Sequence, residues 1–135
     1  MKAPVGRRII AYFIDGFIAG LLLLLFSAAG FVVEARVDSV FGKLLALFLF
    51  LLAVVFYAGF ILVKDGFFSG CGIGKKLMRL RVVRSDGSRC DFESSALRNV
   101  TFLIPPVNLL ELVIAVVDAE GRRLGDKIAK TQVVE

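Results

Sequence analysis

The chain has 135 residues, 58% of them hydrophobic, a net charge of +5, and neither histidine nor tryptophan. One small domain fits that length, and apolar residues gathered in long runs point to a bilayer rather than a water-soluble core. Lacking histidine, the chain has no Ser-His or Cys-His catalytic pair and loses most zinc ligand sets, so it reads as neither an enzyme nor a metal or cofactor protein.

Residues 1–8 are a short basic lead-in, with Pro4 and Gly6 opposing an earlier helix start. A first transmembrane helix is expected over about 9–33; residues 16–33 carry no charge, and about 20 residues span a bilayer. A cleaved signal peptide is the alternative, with Ser27-Ala28-Ala29 as the small residues before cleavage. Asp15 lies inside this helix, where an ionised carboxylate costs roughly 2.5–3.5 kcal/mol on insertion scales. Arg8 is two turns earlier on the same face, and Ala11 between them leaves room for another element. Arg8 and Asp15 therefore read as one side of a buried polar contact. It is either a structural ion pair or a proton or cation site.

A polar connection covers residues 34–43, and a second transmembrane helix is expected over about 44–63, which has no charge at all. Residues 64–93 read KDGFFSGCGIGKKLMRLRVVRSDGSRCDFE. Alternation from Leu80 to Arg84, the turn pair Asp86-Gly87 and a return through Arg89 to Phe92 predict a small β-hairpin in a cytoplasmic loop. An amphipathic surface helix over Lys75 to Val83 is the alternative. GCGIGKK resembles a phosphate loop, but Ser69 and Lys76 stand where that loop needs Gly and Ser or Thr. It reads as a glycine turn with Lys75 and Lys76 at the headgroups. Cys71 and Cys90 have no metal-type spacing and are expected reduced in a cytoplasmic loop.

Residues 94–118 are apolar but broken by Pro105-Pro106, which predicts short helices at about 94–104 and 107–118. In the second, Asn108, Glu111, Ala115 and Asp118 share a face. Glu111 there is either solvated at an interface or set beside the Arg8–Asp15 pair. With Arg98 and Lys75, Asn108 and Glu111 are the accessory site candidates. Residues 119–135 form a polar tail whose final Val-Val run can pair as a strand.

Topology follows from charge. If residues 97–117 enter the membrane and return, or lie at its surface, 15 of the 17 Lys and Arg fall inside and 2 outside; a full crossing gives 11 and 6. The first arrangement is expected, with the N-terminus cytoplasmic in a multi-pass protein of the cell inner membrane. The basic balance then reports membrane topology, not nucleic-acid binding.

Three pieces recur in order: RRIIAYFID, GIGKKLMRLRVVRSDG and RRLGDKIAKTQVV. Together they resemble the RDD family of small multi-pass bacterial membrane proteins across nearly the whole chain. The family's Arg, Asp and second Asp fall on Arg8, Asp15 and Asp126. Ile73, Gly125 and Lys130 depart from the residues the family often carries there. The resemblance implies a helical membrane domain, a buried cluster of Arg8, Asp15 and Asp126, and a role in transport, including cation or proton exchange. Two spans enclose no pathway alone, so a transport component implies a homo-oligomer, with Asp15 carboxylates facing its shared interior. The competing expectation is a non-transporting membrane scaffold or assembly module that docks partners through its basic cytoplasmic surface.

Overall fold

The computed structural model describes residues 3–68 and 70–135, without the side chains of Asn108 and Leu112. Met1, Lys2 and Ser69, read above as lead-in and loop, lie outside the described residues, as does the Asn108 side chain. Six helices and one two-stranded antiparallel sheet are described: α1 (Val5–Arg36), α2 (Val40–Val63), α3 (Ile73–Leu77), β1 (Arg81–Arg84), α4 (Phe92–Asn99), α5 (Val107–Val117), α6 (Leu124–Ile128) and β2 (Thr131–Val134). The chain divides into two compact units. One is Gly16–Phe60, and the other joins residues up to Asp15 with Ile61–Glu135.

Unit Gly16–Phe60 holds most of α1 and α2. Both helices are long and apolar enough to cross a membrane. Their mutual packing is aromatic and small. Phe26 stacks on Phe56 at 4.9 Å, and Phe31 meets Phe50 edge-on at 5.1 Å. Ala19, Ala46 and Ala53 are buried, whereas Phe17, Leu24, Leu25, Phe48 and Leu51 are exposed. So continuous an apolar surface needs a bilayer or a partner. The connection is shorter than the polar pattern predicts. Helix α1 runs on to Arg36, and Ser39 starts α2 by accepting the Gly42 N–H at 3.1 Å. Helix α1 also begins at Val5, directly after Pro4, because a proline is well tolerated where the first turn's N–H groups have no partner anyway.

In the second unit, β1 pairs with β2 from the tail, in register Arg81↔Val134, Val82↔Val133, Val83↔Gln132 and Arg84↔Thr131. The expected hairpin is therefore corrected. Its turn forms, with Gly87 at φ +84°, but the returning chain makes only the single bridge Val83↔Arg89. Asp91 then caps α4, accepting the Ser94 N–H at 2.8 Å. The tail wins the pairing because its alternation buries Thr131 and Val133, where a small core of Ala3, Leu80, Val82, Cys90 and Val133 collects. Nor is there a surface helix over Lys75 to Val83: α3 ends at Leu77 and the chain turns into β1.

The break at Pro105-Pro106, a cis peptide, separates the 3-10 turn Val100–Leu103 from α5. With 11 residues α5 is about 16 Å long, half a bilayer core.

An internal repeat, offset by 51 residues, organises this unit. Ile73-Gly74-Lys75-Lys76-Leu77 of α3 corresponds to Leu124-Gly125-Asp126-Lys127-Ile128 of α6. Each helix is one turn long, each is followed by a left-handed residue (Arg79, φ 56°; Lys130, φ 50°), and each leads into a strand ending in a valine pair or near it. Under that offset the sheet register maps onto itself, with Val82 and Val133 at its centre.

Candidate functional site

The repeat does the same thing twice to a carboxylate. In α3 the Gly74 N–H donates to Asp15 Oδ1 at 2.7 Å; in α6 the Gly125 N–H donates to Glu111 Oε1 at 2.9 Å. Both glycines are dictated by close approach. A Cβ on Gly74 would collide with the Ala11 carbonyl oxygen, and one on Gly125 with that of Arg98. A Cβ on Gly72 would sit 2.8 Å from the Asp15 carboxylate. Ala11 thus does admit another element, and the glycine-rich GCGIGKK stretch is the wall of a carboxylate site rather than a phosphate cradle.

Asp15 is fully buried, between Lys64 Nζ at 3.3 Å and Lys75 Nζ at 3.9 Å. Lys75 reaches on to Asp65 at 2.6 Å. Asp65 lies 3.6 Å from Arg98 Nη1, and Arg98 Nη2 lies 2.5 Å from Asp126. Asp126 also meets Arg8 and Arg123, each at 3.4 Å, and Arg123 Nε is 3.8 Å from Glu111. One chain of alternating charges thus runs from α1 through the end of α2, α3, α4 and α6 to α5. Hydrogen bonds brace it. Asn99 Nδ2 donates to Asp65 Oδ2 at 3.2 Å, the Asp65 N–H donates to Ser95 Oγ at 3.2 Å, and Ser95 Oγ donates to the Leu62 carbonyl at 2.7 Å. Arg8 also donates to the Gly121 carbonyl.

The electrostatics follow from this geometry. Burial alone would raise the Asp126 pKa, but Arg98 and Arg123 hold it down to about 2. Burial pulls Arg98 down, and Asp126 and Asp65 more than reverse it, so its pKa is raised. Both groups are charged at any physiological pH. Among the described residues no three Asp, Glu or Cys converge as a metal ligand set; each network carboxylate faces a cation instead.

Several expected placements change. Arg8 does not ion-pair with Asp15: it turns to Asp126, and lysines serve Asp15. Asp15 is enclosed by its own chain, so it does not face an interior shared between copies. Glu111 is fully buried, not solvated, because Gly125 and Arg123 answer its charge. Lys75 joins the network instead of the headgroups, whereas Lys76 lies over the Phe68 ring at 4.1 Å. Arg98 stands at the centre of the chain of charges rather than beside it. Lys64, Asp65, Asn99 and Arg123 are additions. For the first two, a Lys-Asp pair directly after a charge-free run of 20 residues is the available signal.

Two long apolar helices joined to a unit with this buried ionic network define a membrane-type protein with two candidate membrane helices. The chain belongs to the RDD family, whose model matches residues 2–130. No curated protein and no solved structure matches it. Arg8, Asp15 and Asp126, the three residues expected to cluster, sit in one network through Lys75, Asp65 and Arg98.

Proposed function

We propose that the chain is a multi-pass protein of the cell inner membrane that works as a homo-oligomeric transport component moving protons. Both termini and residues 64–93 are cytoplasmic, which the division of 15 and 2 basic residues supports. Residues 94–118 enter and return or lie at the interface; the short α5, with Leu109, Val113 and Val116 exposed on one face and Glu111 and Ala115 buried on the other, supports that placement.

The observation that carries the transport reading is the quartet Lys64–Asp15–Lys75–Asp65. Its four side chains, two carboxylates and two amines, are adjacent; Lys64, Asp15 and Asp65 are buried, Lys75 is nearly so, and Asp15 Oδ2 makes no hydrogen bond. Arg98 ends the exchangeable part, since a guanidinium does not release its proton in proteins. Protons are favoured over metal cations because five basic side chains line the cavity beside the quartet. Two helices enclose no path, so the reading requires several copies.

Purified protein in liposomes should dissipate an imposed pH gradient. Asp15→Asn should slow this at least about tenfold while leaving the oligomer's size unchanged. Wild-type protein that is monomeric in lipid and passes no protons would end the reading. A non-transporting scaffold is the second reading, and Arg98 favours it: pinned between Asp65 and Asp126, it locks α4 to α6 and to the end of α2. Under that reading flux is absent and Asp15→Asn impairs assembly.

A further inference from the structure

The network does not balance. Among the described residues it holds five cations (Arg8, Lys64, Lys75, Arg98 and Arg123) against four carboxylates (Asp15, Asp65, Glu111 and Asp126). Counting the next acids leaves the surplus unchanged, because Asp118 comes with Lys127 at 2.7 Å and Glu135 with Arg7 at 3.0 Å. One surplus positive charge therefore sits in a largely desolvated cluster, where an uncompensated charge is costly.

A cavity of about 270 Å³ adjoins the cluster, close to the lower end of small-ligand sites at roughly 300 Å³. All five cations line it, and none of the four carboxylates does. Arg98 is fully buried at its wall, with Nε and Nη1 lacking any hydrogen-bond acceptor. The remaining lining is apolar. Phe102 stacks on Tyr12 at 5.3 Å and lies under the Arg123 guanidinium at 4.5 Å. Ile9, Phe13 (68% exposed) and Val116 (65% exposed) form the outer rim.

We propose that this cavity binds a singly charged phosphate group, with the phosphodiester headgroup of an anionic membrane lipid as the source the rim favours. The anion would neutralise the surplus charge and give Arg98 its missing acceptors, since guanidinium forks suit phosphate oxygens. The exposed apolar rim would meet the hydrocarbon attached to it. The inference does not rest on proton transport; it needs only the charge count and the cavity.

The full chain in neutral detergent micelles provides the test, by thermal unfolding at constant ionic strength with phosphatidylglycerol, phosphatidylcholine or inorganic phosphate added. A ligand of the native state raises the unfolding temperature in proportion to its occupancy. Phosphatidylglycerol should raise it and phosphatidylcholine should not. A shift with phosphatidylglycerol alone identifies a lipid headgroup; an equal shift with inorganic phosphate identifies the free anion, and either supports the site. Lys75→Gln removes the surplus charge and should weaken phosphatidylglycerol binding about tenfold. Val116→Asp leaves the network intact, places a carboxylate at the rim, and should weaken binding by a similar factor even if Lys75→Gln fails to fold. Equal shifts with both lipids, or wild-type phosphatidylglycerol affinity in Val116→Asp, would overturn the proposal.

Discussion

Arg98→Met is expected to destabilise the protein by about 3–5 kcal/mol, the usual cost of removing one partner from a buried ion pair. Methionine keeps much of the arginine's volume, so little of the loss comes from a void. The cost lies in what is left behind. Asp126, 2.5 Å from Arg98, and Asp65, 3.6 Å away, are both fully buried. Asp126 retains Arg8 and Arg123, and Asp65 retains Lys75, so neither is wholly stranded. Both nonetheless lose the cation between them, and two like charges then face each other. Adding Asp65→Asn to Arg98→Met should recover part of the stability by removing one of those charges. Chemical unfolding in detergent micelles measures both effects.

Gly74→Ala should cost about 1–3 kcal/mol or more, through overpacking against rigid backbone. The added methyl would run into the Ala11 carbonyl, and neither helix backbone can yield as a flexible side chain would. Relief by separation of α3 from α1 would stretch the 2.7 Å bond from the Gly74 N–H to Asp15. Asp15 already has one oxygen without a hydrogen bond, so the second loss compounds the first. Gly16→Ala is the matched control. Gly16 is helical with open space where its Cβ would go, so helix propensity alone predicts a neutral or mildly stabilising change. Thermal unfolding of the two variants should separate them clearly.

Legibility in the sequence differed by element for physical reasons. The two long helices stand out because a charge-free run of 18 to 20 residues has few other solutions. The proline pair marks the break before α5 just as directly. Strand β2 shows its alternation, but β1 has two candidate partners by pattern, and a local hairpin is the shorter connection. Only the cap at Asp91 and the burial of Thr131 and Val133 decide for the tail. The Arg8–Asp15 expectation failed for a different reason. Helical spacing shows which residues share a face, not how far a long side chain turns. Arg8 turns to the tail's Asp126, and Asp15 is served by lysines beyond the second helix. Lys64 and Asp65 read as the start of a loop because charges usually end a buried segment, whereas here they begin the network. The IGKKL and LGDKI repeat was present in the letters, but only Gly, one Lys and the valine pair coincide. Its significance comes from backbone geometry, two glycines that hand an N–H to a carboxylate on another helix.

In this network Asp15 belongs to Lys64 and Lys75, and Arg8 to Asp126. Double-mutant cycles on unfolding free energy, using Asp15→Asn with Lys64→Met and Asp15→Asn with Arg8→Met, test it most directly. The prediction is a coupling of about 0.5–3 kcal/mol between Asp15 and Lys64, as for residues in contact, and a clearly smaller value between Asp15 and Arg8. A coupling between Asp15 and Arg8 that equals or exceeds that between Asp15 and Lys64 would contradict the arrangement described here.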